Sequence, residues 1–124
     1  MCALAADLPE LCVFALAPDG PAGLLDDRRQ RQVHARVFCP GSGIIEDPAT
    51  GSAALGLATY LVGAGVLPAD DTTTFTVRQG LELHRPSTLT VQVTAVGGVA
   101  TQATVTGAMM PVARGEIAVP PFVG

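Results

Sequence analysis

From Val33 to Cys39 the chain alternates, with Val33, Ala35, Val37 and Cys39 on one side and His34, Arg36 and Phe38 on the other. A period of two over this length predicts a strand with two different faces. The period then changes. Past a Gly41-Ser42-Gly43 loop and the run Ile44-Ile45-Glu46-Asp47-Pro48, residues from Ser52 to about Gly63 are rich in Ala and Leu and predict a helix. Ala64-Gly65 and Pro68 supply its stop. The helix carries no charge, and Thr59 and Tyr60 are the polar interruptions on its surface. A helix apolar on every side is expected to be buried on every side. In a small chain, the flanking strands must then wrap it.

Those strands are readable from the same patterning. Leu11 to Ala17 is a short apolar run ended by the turn signal Pro18-Asp19-Gly20-Pro21. Leu24 to Gln32 is polar, a loop or a short helix. Thr73 to Gln79 sets Phe75 and Val77 on one face. Thr88 to Val96 places Leu89, Val91, Val93 and Ala95 opposite Thr88, Thr90, Gln92 and Thr94. Gly97-Gly98 predicts a tight hairpin, answered by Val99 to Thr106. After Gly107, Met109 to Ala113 reads as the start of another strand. A turn near Arg114-Gly115 follows, and Ile117 and Val119 extend the last strand before Pro120-Pro121. The expected architecture is α+β: an antiparallel β-barrel or roll closed round one central apolar helix.

Composition narrows the function classes. At 124 residues the chain fits one domain of the usual size, roughly 100–150 residues. Its 48% hydrophobic and 15% charged residues argue against disorder. The net charge is −4 and every one of the seven basic residues is Arg, three of them in Arg28-Arg29-Gln30-Arg31, read as a solvated loop or strand entrance. An acidic chain with one Tyr lacks the footprint of a nucleic-acid binder. Asp7 and Glu10 interrupt the apolar start, with no basic segment ahead of it. Ala53 to Leu67 falls short of the ~18 residues that span a bilayer. Cys2, Cys12 and Cys39 have no metal-ligand spacing and suit reduced thiols. The expectation is a soluble cytoplasmic protein with no membrane or nucleic-acid partner.

The candidate chemistry sits where the acidic run meets the helix, from Gly43 to Ala53. The first N–H groups of a helix have no intrahelical partner, and the positive end of the helix dipole lies with them, so an anion is favoured there. Gly51 permits close approach to the backbone, and Thr50 or Ser52 is suited to cap the helix or hydrogen-bond a ligand. Asp47 precedes Pro48, which biases its backbone to the extended region. Its side chain is thereby set at the mouth of the helix. A carboxylate beside an anion hole equips a site to move a proton on a small carboxylate-bearing molecule. A helix-entry carboxylate favoured by the dipole is the alternative for Asp47, and simple capping the alternative for Thr50 and Ser52.

Arg36-Val37-Phe38, Pro40, Gly43-Ile44, the run Glu46-Asp47-Pro48-Ala49-Thr50-Gly51-Ser52-Ala53 and Tyr60-Leu61 resemble the signature of the PhzF family of phenazine-biosynthesis-like isomerases. Gln79-Gly80 and Arg85-Pro86-Ser87 fall where that family carries a similar segment. The resemblance runs from about Val33 onward and matches the C-terminal half of a full-length member. It implies a single lobe of the diaminopimelate-epimerase-like fold over residues 1–124, with the N-terminal lobe absent. It also implies cofactor-independent proton transfer, with Asp47 lining the substrate pocket and assisting that transfer. Thr50, Gly51 and Ser52 are the candidates for gripping the substrate carboxylate.

In that family the principal acid–base Glu and a pocket His belong to the N-terminal lobe. Glu10, Glu82 and Glu116 inherit neither role. Glu46 is expected to pair with Arg36, with a second pocket acid as the alternative. His34 and His84 are read as surface or structural residues, and Gln79 as ending a strand beside the site. Arg85 either holds a carboxylate or pins its loop. Cys39 belongs to the preceding strand, so a two-thiol racemase mechanism is not expected. The site is expected to be completed by a separate N-terminal-lobe chain or by a second copy. In a homodimer, two helix starts would face each other across a two-fold axis. A non-catalytic carboxylate-binding module or an inactive remnant is the alternative.

Overall fold

The computed structural model of the chain describes residues 9–16 and 32–121. The turn expected at Pro18–Pro21, the stretch from Leu24 to Arg31 with its arginine cluster, and Cys2 lie outside the described residues. Six strands and one helix follow in the order β1 (Leu11–Leu16), β2 (Gln32–Cys39), β3 (Ile44–Asp47), α1 (Gly51–Gly63), β4 (Thr72–Gln79), β5 (Ser87–Val96) and β6 (Val99–Gly107). A single turn of 3-10 helix, Pro40–Ser42, links β2 to β3.

The alternation in β2 does what its period dictates. Val33, Ala35, Val37 and Cys39 are buried, while His34, Arg36 and Phe38 lie on the other face. β1 runs antiparallel to β2, with Leu11 opposite Phe38 and Leu16 opposite Val33. β4 and β5 pair antiparallel from Thr72–Thr94 to Gln79–Ser87. The β5–β6 hairpin closes at Val96–Val99 on Gly97 and Gly98, both at positive φ, as two-residue hairpin turns require. One pairing departs from the expected antiparallel pattern: β2 and β4 are parallel, Gln32 opposite Thr76 and His34 opposite Arg78. Parallel neighbours need a crossover of a dozen or more residues, usually helical. Here α1 supplies it.

The helix packs one stripe onto one face of this sheet. Ala54, Leu57, Ala58, Leu61 and Val62 are buried against Val33 and Ala35 of β2, Phe75 and Val77 of β4, and Val91, Val93 and Ala95 of β5. Offsets of three and four place those helix residues on one face. Fully burying a Val, Leu or Phe side chain stabilises by about 1.5–3 kcal/mol, so this face anchors the start of α1 to the sheet.

Three expectations are corrected. The sheet is open, not a closed barrel: its order is β1-β2-β4-β5-β6, with β3 attached to β2 off that path. The helix is not buried all round, because Ser52, Gly56, Thr59, Tyr60 and Gly63 are exposed, Tyr60 at 60%. Beside that exposed side, β1 leaves an open groove of about 410 Å³ floored by Val37, Ala53 and Leu57. Phe14 meets Tyr60 edge-to-face there, their ring centroids 5.8 Å apart. Finally, residues 108–121 form no strand, and Met109 and Ile117 are 88% and 94% exposed. Pro111, Gly115 and Pro120 break that segment repeatedly, and no described strand lies alongside to satisfy its backbone. Among the described residues no helix is long and apolar enough to cross a membrane.

Candidate active site

Asp47 is positioned by a strand that the sequence pattern did not predict. β3 pairs with β2 through Val37–Asp47 and Cys39–Ile44, with an irregularity between the two pairs. Such a bulge re-aims the side chains of its strand. Asp47 thus ends β3 partly buried, with three residues between it and the first residue of α1.

The loop between them is tied by a small polar network. Thr50 is the N-cap residue, with extended backbone (φ −118°, ψ 97°). Its hydroxyl does not cap the helix as expected; it donates to Asp47 Oδ2 at 2.5 Å. Gln79, at the end of β4, is 1% exposed and spans the loop from beneath. Its Nε2 donates to the Asp47 carbonyl at 2.7 Å and to Thr50 Oγ1 at 2.9 Å. Its Oε1 accepts the Thr50 N–H at 3.2 Å. Three of the four hydrogen bonds open to a primary amide are therefore made within one loop. The first intrahelical bond runs from the Ala54 N–H to the Thr50 carbonyl. The N–H groups of Gly51, Ser52 and Ala53 precede that bond, at the positive end of the dipole.

Gly80 permits this crossing. Its φ is +77°, and a Cβ there would lie 2.4 Å from the Arg85 carbonyl oxygen and 2.8 Å from that of Pro48. The turn that follows closes on Gly80, whose carbonyl accepts from the N–H groups of Leu83 and Arg85. Backbone of the motif loop and of the 80–85 turn thus meet where only a glycine fits.

A second network braces the outer face of β2. Arg36 Nε and Nη2 donate to the two Glu46 carboxylate oxygens at 2.9 and 2.8 Å, a bidentate pair. The guanidinium lies over the Phe38 ring, 5.1 Å from its centroid. Glu82, from the 80–85 turn, places Oε1 3.0 Å from His34 Nε2 and Oε2 4.0 Å from Arg36 Nε. The hydrogen bond from Arg36, helped by its charge and opposed by desolvation, holds the Glu46 carboxyl below the ordinary carboxylate range. At the inner end of β2, burial pushes the Cys39 thiol up, and the carboxylates of Glu10 and Asp47 push the same way. That environment disfavours the thiolate, the nucleophilic form.

The Glu46 shift has a definite sign. A carboxyl whose folded pKa is depressed contributes stability above its unfolded value, about 4.3, and loses it as the pH falls through the folded value. Glu46→Gln is therefore expected to unfold at lower urea than the wild type at pH 7, with the gap closing on acidification below about pH 4. Urea midpoints at pH 7 and at acid pH check it. A gap that does not change with pH would remove Glu46 from the acid response.

A family model described as "Phenazine biosynthesis-like protein" matches residues 13–115. The chain belongs to this phenazine biosynthesis-like family. Curated relatives include an uncharacterized isomerase of Mesorhizobium japonicum, 37% identical over 84 residues, covering 68% of this chain and 28% of the relative. The trans-2,3-dihydro-3-hydroxyanthranilate isomerase of Pseudomonas aeruginosa is 33% identical over 91 residues, 73% of this chain and 28% of that protein. An uncharacterized isomerase of Pasteurella multocida is 38% identical over 65 residues, 52% of this chain and 21% of the relative. The chain thus spans between about a fifth and a little over a quarter of the length of these curated relatives.

In this phenazine biosynthesis-like chain, Asp47 and Thr50 are directly bonded, and Gly51 and Ser52 open the helix beside them. Ser52 is exposed. Glu46 is committed to Arg36, the role expected of it. His34 is engaged with Glu82, while His84 occupies the turn with φ 54°. Neither histidine is in the Asp47–Thr50–Gln79 network. Among the described residues no three His, Cys, Asp or Glu side chains come together as a metal-ligand set. Sequence reasoning set Gln79 beside the site without its role as the clamp. The signal was present in a polar residue at a strand's inward position directly before a glycine.

Proposed function

We propose that this chain is one lobe of a phenazine biosynthesis-like isomerase, acting by cofactor-independent acid–base proton transfer on a small carboxylate-bearing metabolite. Residues 1–124 are assigned to the C-terminal lobe, of diaminopimelate-epimerase-like fold, and a second lobe or a second copy completes the cleft. Asp47 is the proton-transferring group. Of the candidates Thr50, Gly51 and Ser52, the last two hold the substrate carboxylate through backbone N–H groups at the helix start, with the Ser52 hydroxyl adding a bond. Thr50, its N–H given to Gln79 and its hydroxyl to Asp47, fixes the loop beside them. The isomerase names of the relatives support the reaction class.

The observation that carries this reading is the fixed juxtaposition of Asp47 with the start of α1. A carboxylate held by a hydroxyl, on a loop clamped by a buried amide, keeps its place while the substrate enters. The base removes a proton from an activated carbon, and the same or a facing acid returns it elsewhere, which shifts a double bond. Closure by a second body would exclude water and strengthen the anion grip. Apolar surface suited to such a body is exposed, with Ile45 beside the motif at 88% and Tyr60 on the helix at 60%.

The test is carbon–proton exchange in D2O, read by ¹H NMR, over a panel of small carboxylates carrying an activated C–H bond. The purified chain is run with light scattering to record its mass. Exchange is expected where a dimer forms or a partner lobe is added. Saturable binding of the carboxylates with no exchange in any assembly would replace the isomerase by a binding module.

A further inference from the structure

We propose that Gln79 is a positioning residue that sets the direction of the Thr50 hydroxyl proton and thereby selects which oxygen of Asp47 exchanges a proton with substrate. The proposal rests on the reading of Asp47 as the acid–base group. Chemistry fixes the orientation of the amide. The Asp47 carbonyl accepts only, so it must face Nε2; the Thr50 backbone N–H donates only, so it must face Oε1. With the amide set, its second Nε2 proton points at Thr50 Oγ1, 2.9 Å away. That oxygen receives a donor from Gln79 and has one proton of its own. The proton is left with one direction, toward Asp47 Oδ2 at 2.5 Å.

The consequence is an ordered relay, Gln79 to Thr50 to Asp47. Oδ2 is occupied as an acceptor, so Oδ1 is the oxygen on which a substrate proton is taken or from which it is returned. Without the amide, the Thr50 hydroxyl is free to rotate and Asp47 to turn about its side-chain torsions. Burial makes the arrangement stiff, since Gln79 is 1% exposed and every alternative leaves a buried polar atom unpaired. The adjoining Gly80, with no room for a Cβ, holds the amide at this crossing.

The test uses the whole chain labelled with ¹³C and ¹⁵N. In the wild type, the Thr50 hydroxyl proton is expected to be protected from exchange with water and correlated to the Asp47 carboxyl carbon. Gln79→Met should abolish that protection and move the Asp47 carboxyl resonance. Thr50→Val should move it likewise while Gln79 keeps its two bonds to main-chain groups of the loop, and Thr50→Ser should restore it. The Val and Ser variants separate the hydroxyl from general packing. They also carry the test if Gln79→Met fails to fold. On any carboxylate that the wild type exchanges, Gln79→Met and Thr50→Val should lower kcat by about 10- to 100-fold, the cost of a misplaced reacting group. KM should change little, and Thr50→Ser should recover the rate. An unchanged Thr50 hydroxyl signal in Gln79→Met, or an unchanged Asp47 carboxyl resonance in Thr50→Val, would overturn the relay, whatever the wild type exchanges. The relay signals together with a wild type inert toward every carboxylate would instead uphold the geometry and overturn the acid–base reading of Asp47.

Discussion

Asp47→Asn is expected to lower carbon–proton exchange by about 10²- to 10⁴-fold, the usual contribution of a general acid–base group, while the chain stays folded. The substitution isolates proton transfer because it is nearly isosteric. The amide oxygen of the variant still accepts the Thr50 hydroxyl, and the Asp47 main-chain carbonyl still accepts from Gln79. The clamp therefore survives and only the titratable oxygen is lost. Exchange rates in D2O, read beside an amide fingerprint spectrum, check the two halves separately. A variant with wild-type turnover would take Asp47 out of the mechanism. A variant with an altered fingerprint would show that the carboxylate is structural.

The contrast with Glu46 gives this prediction its edge. Two adjacent carboxylates leave β3, and the structure gives them different work. Glu46 lies on the outer face of β2 in a bidentate pair, its charge spent on Arg36. Asp47 points the other way, as alternation along a strand requires, toward the start of α1. Its bond is to a neutral hydroxyl. Glu46 has both carboxylate oxygens taken up by Arg36, whereas the Asp47 side chain is tied through one oxygen to a single hydroxyl. Glu46→Gln should therefore act mainly on stability and Asp47→Asn mainly on exchange.

Local pattern carried the elements well where neighbours in sequence are neighbours in space. The β5–β6 hairpin follows from Gly97-Gly98 and the alternation on either side, and β2 from its two-faced period. The helix was legible from its composition, but its burial was not. Ala53 and Leu55 look core-like in a sequence, yet they are only partly buried, because coverage depends on a layer beyond them and α1 has sheet on one side. The parallel β2–β4 pairing was obscured for a related reason. Tight turns advertise hairpins, while a parallel register is decided by packing across a crossover. Met109 to Val119 had the apolar content of strands, but content alone supplies no edge to pair with.

The site was legible as residues and not as geometry. Motif and helix start identified Asp47, Thr50, Gly51 and Ser52, and charge complementarity anticipated the Arg36–Glu46 pair. What the sequence concealed was how Thr50 is used. A threonine before a helix predicts a capping hydroxyl, because a side-chain oxygen near the first turn finds unpaired N–H groups. Gln79 changes that outcome from 29 residues away by donating to Thr50 Oγ1 and turning its proton to Asp47. No local rule anticipates a partner brought in by the end of β4.

The same crossing makes Gly80 the position where the smallest change should cost most stability. Gly80→Ala is expected to destabilise the chain by about 2–5 kcal/mol, combining about 1–2 kcal/mol for a side chain in the left-handed region with about 1–3 kcal/mol for overpacking. The overpacking is severe because the atoms met are backbone, the carbonyl oxygens of Arg85 and Pro48, which cannot swing aside. Relief would require the 80–85 turn or the Asp47–Thr50 loop to move, which breaks the Gln79 bonds as well. Gly43→Ala is the matched control. Gly43 has nearly the same φ, +74° against +77°, but nothing lies within 4 Å of its would-be Cβ. It should therefore cost only the conformational part, about 1–2 kcal/mol. Urea denaturation of both variants gives the difference directly, and that difference measures the contact between loop and turn. Equal losses in the two would mean that the turn does not press on the motif loop, and that the position of Asp47 is set by β3 alone.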